Sequence, residues 1–174
     1  MLTQARLKEL FTYDPLIGTF VRRERRGSAR AGEIAGTDNG CGYLQIAVDR
    51  RVYVAHRMAW VYVHGVWPAN QIDHINGKRA DNRISNLRLA TSSENLCNTP
   101  GYKNTSTGVK GVCYHKRYKK FQAHIQFNKK KTYLGYFSDL ASAAAAYADA
   151  AAKLHGDFAN CGIHRFEQEE LDAG

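Results

Sequence analysis

The sequence contains no apolar run of about 18 residues, the length of a membrane-spanning helix, no amphipathic basic helix and no lipidation motif. No membrane partner is expected. The first residues, MLTQARLKELF, lack an apolar signal core, so the protein is expected to be cytoplasmic. Cysteine is sparse. Cys41, Cys97, Cys113 and Cys161 stand far apart and form no Cys-x-x-Cys pair. Reduced thiols are expected rather than disulfides. No Cys or His pair has ligand spacing either, so a zinc site is not expected. The most informative gap is acidic: from Asn95 to Ser138 there is no Asp or Glu.

What fills that gap is basic. The window holds Lys103, Lys110, Lys116, Arg117, Lys119, Lys120, Lys129, Lys130 and Lys131, and these nine cations equal the net charge of +9 of the whole 174-residue chain. The pI is near 9.5. An excess of this kind points to an anionic partner, and with membranes set aside that partner is nucleic acid. A smaller basic cluster, Arg22, Arg23, Arg25, Arg26 and Arg30, lies near the front.

Hydrophobic periodicity divides the chain. Thr3 to Phe11 reads as a short helix, Thr19 to Arg22 as a strand, and Leu44 to Val54 as a hairpin turning near Asp49-Arg50. AHRMAWVYVHG reads as a helix ended by Gly65. QIDHI and NLRLA are short strands around a turn-rich loop, and Thr91 with Glu94 has capping-box spacing for a helix after them. NTPGYKNTSTG is a linker by composition. Beyond it come three strand candidates and an Ala-rich helix, with Ser138 as its cap, Asp139 near its positive end and Gly156 as its stop. The expected organisation is α+β: residues 1–98 with an N-terminal hairpin region, a linker at 99–108, a basic sheet domain at 109–162 and a tail at 163–174.

Two constellations carry chemistry. In QIDHINGKRADNRISNLRLATSSENLCN, Asp73 is a hard oxygen ligand suited to a divalent metal, and His74 can accept a proton near neutral pH. As strand neighbours they would point to opposite faces unless a strand end or bulge intervenes. Asn95, one turn into the following helix, can bring a second oxygen ligand. The segment DHINGKRADNRISNLR, preceded by AHRMAWVYVHGVWPANQI, resembles the HNH endonucleases of phage and intron-homing type, which have the ββα-metal (His-Me finger) fold. The resemblance implies His74 as general base and Asp73 and Asn95 as ligands of one Mg²⁺, with Mn²⁺ the alternative. It also implies Asn86 as the loop brace, with Asn82 a second candidate for bracing. His56 reads as structural support or a backbone-phosphate contact. Arg57, Lys78, Arg79, Arg83 and Arg88 become phosphate contacts beside the cut.

The second constellation interleaves Tyr114, Tyr118, Phe121, Tyr133 and Tyr136 with the lysines. Cations for phosphates and aromatics for sugars and bases suit a sheet set in a major groove. Lys-Gly-Val at 110–112, Lys-Phe at 120–121, Ala-His-Ile at 123–125, Tyr-Leu-Gly-Tyr-Phe at 133–137 and the Ala-rich helix are similar to the Apetala/ethylene-response-factor DNA-binding domain. That likeness implies a three-stranded antiparallel sheet packed on one helix. Its implied DNA contacts are Lys110, Lys120, His124, Gln126, Lys131 and Tyr133, to which the interleaving of cations and aromatics adds Tyr114, Lys116, Arg117, Lys119, Lys129 and Lys130. Cys113 and Tyr133 stand where the plant domains have Arg and Trp, so their recognition sequence is not carried over. The expectation is a metal-dependent endonuclease acting on duplex DNA, monomeric or weakly dimeric. The rivals are a DNA-binding regulator on an inactive HNH scaffold and an RNA-binding protein.

Overall fold

The computed structural model describes residues 2–99 and 106–160. The expected linker is described only at its ends. Lys103, Cys161 and the expected tail lie outside the described residues. The chain forms two compact units, Met1–Thr91 and Ser92–Gly174, both mixing helices with antiparallel strands. Among the described residues no helix is long and apolar enough to cross a membrane.

In the first unit, α1 (Gln4–Leu10) starts where the Thr3 hydroxyl accepts the Arg6 N–H at 3.2 Å. It buries Leu7 and Leu10, three residues apart on one face. Phe11 was expected to end this helix. It is instead the first residue of β1 (Phe11–Asp14), because its extended backbone pairs with Arg22 and its ring enters the core. β1 pairs with β2 (Thr19–Arg22), and β2 with β3 (Ile34–Ala35). A second sheet runs β4 (Thr37–Asp38), β5 (Leu44–Val48), β6 (Arg51–Val54). The β5–β6 turn has Asp49 and Arg50 at φ 46° and 64°, the doubly left-handed form common in two-residue hairpins because its twist matches that of the strands. α2 (Ala55–His64) sends Met58, Ala59 and Val61 into the core beside Leu7, Phe11, Phe20 and Ile46. The last pair of strands is β7 (Gln71–His74) and β8 (Leu87–Ala90), joined by a loop that ends in a 3₁₀ turn at Ile84–Asn86.

The front hairpin supports that loop. The Tyr13 hydroxyl donates to the Asn82 carbonyl at 2.7 Å, and the Ile84 N–H reaches the Pro15 carbonyl at 3.3 Å. Gly18, at φ +79°, lies so close to the Asn82–Arg83 peptide that a Cβ would sit 2.4 Å from the Arg83 nitrogen.

The second unit holds α3 (Ser92–Asn98), then β9 (Val112–His115), β10 (Lys120–Phe127) and β11 (Lys130–Phe137) with β10 in the middle, then α4 (Leu140–His155). The units divide at Thr91/Ser92 rather than after residue 98, because α3 is bonded to the elements that follow it. Ser93 Oγ donates to Asn128 Oδ1 at 3.4 Å, Asn160 Nδ2 to the Asn98 carbonyl at 2.8 Å, and Lys110 to carbonyls near the end of α3. α4 buries Ala143, Tyr147, Ala151 and His155, a four-residue spacing along one face. They face Val112, Ala123 and Ile125, and the alanines allow close approach. Tyr147 comes close enough to Gly111 that a Cβ there would meet its ring at 2.4 Å. The cap of α4 is Asp139, not Ser138. Its carboxylate accepts the Ser142 N–H at 2.7 Å, while Ser138 donates to that carboxylate.

Candidate functional site

The register of β7 and β8 decides what Asp73 meets. Asp73 stands directly opposite Arg88, and cross-strand partners of an antiparallel pair share a face. Arg88 Nε donates to Asp73 Oδ2 at 2.8 Å, and Nη2 lies 2.7 Å from the same oxygen. The carboxylate is buried, so removing its cation would leave an uncompensated charge. Pairing stays regular through His74, the last residue of β7. No bulge intervenes, and the change of direction comes at the strand end.

Beyond His74 the chain folds back on itself through asparagines. Asn86 Oδ1 accepts the Asn76 N–H at 2.9 Å, and Asn86 Nδ2 donates to the Asp81 carbonyl at 2.8 Å. The Gly77 N–H returns to the His74 carbonyl at 2.7 Å. Asn82 is almost wholly buried. Its Nδ2 donates to the Ala80 carbonyl at 3.1 Å, and its Oδ1 lies 3.4 Å from His74 Nε2. An amide oxygen accepts only, so this pairing selects the His74 tautomer protonated at Nε2, with its lone pair on Nδ1. Burial holds the His74 pKa below 6.5, opposed by Asn82 and by the charges of Asp73 and Asp81. A neutral imidazole is the form that accepts a proton.

Two residues around His74 carry no local sequence signal for this placement. His56, from the first turn of α2, packs edge-on to His74 with centroids 5.0 Å apart. Tyr43 touches both rings, at 5.4 Å from His56 and 5.9 Å from His74. The turn that presents Tyr43 is organised by Asn39 Oδ1, which accepts the Cys41 and Tyr43 N–H groups. Burial first, then the neighbouring His74 imidazole and the Arg57 charge, push the His56 pKa down to about 3, and its buried Nδ1 has no hydrogen-bond partner. Its folded-state pKa thus lies below the unfolded value, so the unfolded chain binds the extra proton. Stability is intact above about pH 6.5 and is lost as pH falls toward 3, by up to about 1.4 kcal/mol per pH unit. Urea unfolding at pH 7 and pH 5 should show a loss of about 2 kcal/mol from this group, absent in His56→Phe. An equal pH slope in both chains would show that His56 is charged in the fold.

The basic residues expected beside the cut are placed unequally. Arg57 donates to the carbonyls of Pro68 (3.1 Å) and Asn70 (3.5 Å) and so pins the turn before β7. Arg83 forms a two-point pair with Asp81 at 2.8 and 2.6 Å, which holds the Asp81 carboxyl down to about 2. Arg88 is engaged by Asp73. Arg79 donates to the Cys41 carbonyl and lies over the Tyr43 ring at 5.0 Å. Lys78 is exposed.

In the second unit, direct pairing puts Lys120, His124, Gln126, Lys131 and Tyr133 on the sheet face away from Ala123 and Ile125, and adds Gln122 and Tyr136. Tyr133 and Tyr136 meet at 5.6 Å, and Tyr118 stacks on His115 at 4.7 Å. Lys116, Arg117 and Lys119 crowd one turn and Lys129 and Lys130 the other, all exposed. Tyr114 differs. It is paired with Phe121 at 5.1 Å, on the α4 side of the sheet. Lys110 differs too, because its amine is turned to the carbonyls near the end of α3.

Residues 53–97, which include His56, Asp73, His74, Asn82, Asn86 and Asn95, match the family of HNH endonucleases. The chain is also 30% identical over 105 residues to protein 3.8 of Escherichia phage T7, an alignment spanning 60% of this chain and 86% of that protein. The chain belongs to the family of that phage protein and carries an HNH endonuclease domain. No solved structure matches it.

Proposed function

We propose that this protein is a metal-dependent endonuclease of ββα-metal type that hydrolyses phosphodiester bonds of duplex DNA. The observation that carries the reading is the buried, neutral His74, held by Asn82 as the Nε2–H tautomer next to the Asp73 carboxylate in the HNH-matched segment. His74 accepts a proton from the attacking water at Nδ1. Asn86 and Asn82 hold the loop that aims it, and Arg88 orients Asp73. Asp73 and Asn95 would hold one divalent cation, Mg²⁺ or Mn²⁺. Both offer hard oxygens, and among the described residues no three His, Cys, Asp or Glu side chains converge. Such a donor set suits an ion that keeps much of its own water, as Mg²⁺ does. When bound, it supplies Lewis-acid stabilisation of charge on the phosphate and the leaving 3′ oxygen. The products then carry 5′ phosphates. One such site cuts one strand, so a monomer nicks.

Docking falls to the second unit in this reading, by its likeness to ethylene-response-factor domains. The open sheet face with Lys120, His124, Gln126, Lys131 and Tyr133 enters the major groove, and the turn cations hold phosphates. The protein acts in the cytoplasm of a phage's host. The test is to incubate a DNA library with the protein and Mg²⁺ or EDTA and to sequence the ends. Metal-dependent 5′-phosphate ends support the reading, whereas tight binding without cutting favours a regulator. Affinity should also fall with a log–log salt slope of about −6, from Lys116, Arg117, Lys119, Lys120, Lys129, Lys130 and Lys131 at about −0.9 per phosphate. A flat response would remove this surface from docking.

A further inference from the structure

Lys110 stands apart from the other described cations of the acid-free window. Its Nζ donates to the carbonyls of Leu96 at 3.2 Å, Cys97 at 2.9 Å and Thr99 at 2.7 Å. An ammonium group has three hydrogens and no more. The last carbonyls of a helix have no partner within the helix, and α3 has no basic residue in its last turn. A lysine 11 to 14 residues further on satisfies them, and its positive charge suits the negative end of the helix dipole. Burial lowers the Lys110 pKa, as expected for an amine drawn in from solvent. The other end of α3 is tied by Ser93 to Asn128, which with Lys129 forms the β10–β11 turn. Asn160, beyond α4, holds the Asn98 carbonyl. The helix that carries Asn95 is therefore bonded at both ends to the basic sheet unit.

We propose that Lys110 is a positioning residue: it fastens α3, and Asn95 with it, to the DNA-docking sheet, so that the footprint of the sheet on DNA sets which phosphodiester is cut. This rests on the endonuclease reading above. A free tether between docking and cutting would let the cut wander along the duplex. A fastened α3 holds Asn95 to the docking sheet.

The test compares the full-length wild type with Lys110→Met, which keeps the stem and loses the donors, with Lys110→Arg, which restores donors, and with the exposed Lys130→Met. Three readouts are taken: duplex affinity against salt, amide exchange of α3 and β10, and the cut position and rate on end-labelled DNA. Lys110→Met should bind within about twofold of wild type with the same salt slope. Its α3 amides should exchange at least about tenfold faster, with β10 unchanged. Its kcat should fall by about 10- to 100-fold at constant KM, and cuts should spread over neighbouring phosphates. Lys110→Arg should recover the single cut position. Lys130→Met should weaken binding and lower the salt slope by about one without moving the cut. The proposal is overturned if Lys110→Met behaves like Lys130→Met, or if α3 exchange or cut position is unchanged. Faster exchange in β10 as well would mean that the unit fails to fold in Lys110→Met, and Lys110→Arg against wild type would then decide on cut position. A wild type that binds but never cuts would remove the endonuclease reading itself, leaving α3 exchange to report on the fastening alone.

Discussion

Replacing His74 by alanine is expected to lower metal-dependent strand cleavage by about 10²- to 10⁴-fold, the range of a lost general base. Duplex affinity should stay within about twofold, because docking is assigned to the exposed cations of the second unit. Single-turnover nicking of supercoiled plasmid with Mg²⁺ measures the first quantity and binding in EDTA the second. The expectation follows from the surroundings of the ring. Burial keeps His74 neutral, and Asn82 Oδ1 takes the Nε2 side, so the lone pair sits on Nδ1. Asn82→Asp is the informative companion. A carboxylate at this position favours the charged imidazole, so the fall in rate at low pH should begin at a higher pH than in wild type. Equal cleavage by wild type and His74→Ala would take His74 out of the reaction.

Gly18→Ala should have a comparably large effect at a distance in sequence from every expected site residue. An added Cβ would lie 2.4 Å from the Arg83 nitrogen and 2.5 Å from the Asn82 carbonyl carbon. Both are backbone atoms and cannot swing aside. The left-handed φ of +79° adds strain for any residue with a Cβ. Overpacking and strain together should cost about 2–4 kcal/mol, seen as a fall in melting temperature on the order of 10–20 °C. The peptide that is pushed belongs to Asn82, so cleavage should fall along with stability. Gly32→Ala separates the two causes. Gly32 has a similar φ of +84° with nothing within 4 Å of the added atom, so only the strain of about 1 kcal/mol should remain. Melting curves that coincide for the two variants would show that the loop moves aside for the extra carbon.

Much of the architecture was legible beforehand, for a local reason. Alternation of Leu44, Ile46 and Val48 marks β5 because side chains on a strand repeat every two residues. The four-residue spacing of Ala143, Tyr147 and Ala151 marks α4 in the same way. Where two local signals competed, local reasoning misplaced the boundary. Phe11 continues the helical spacing of Leu7, yet its pairing with Arg22 makes it a strand residue. Asp139 and Ser138 are both good caps, and only the backbone geometry at Asp139 decides between them.

By itself, the sequence determined the elements, the acid-free basic window and the Asp73-His74-Asn86-Asn95 spacing, since all of these are properties of residues near one another in the chain. The tertiary structure decided the rest. Asp73 meets Arg88 because of strand register. Tyr43, just before β5, and His56, in the first turn of α2, come to His74 by packing between residues far apart in the chain. Tyr13 and Gly18 buttress Asn82 from some 65 residues away. It also divided cations that look alike in sequence, drawing Arg57, Arg83, Arg88 and Lys110 into internal bonds while leaving Lys116, Lys120 and Lys130 exposed. A positive charge is a property of a residue, but its partner is set by long-range packing, which local periodicity does not encode.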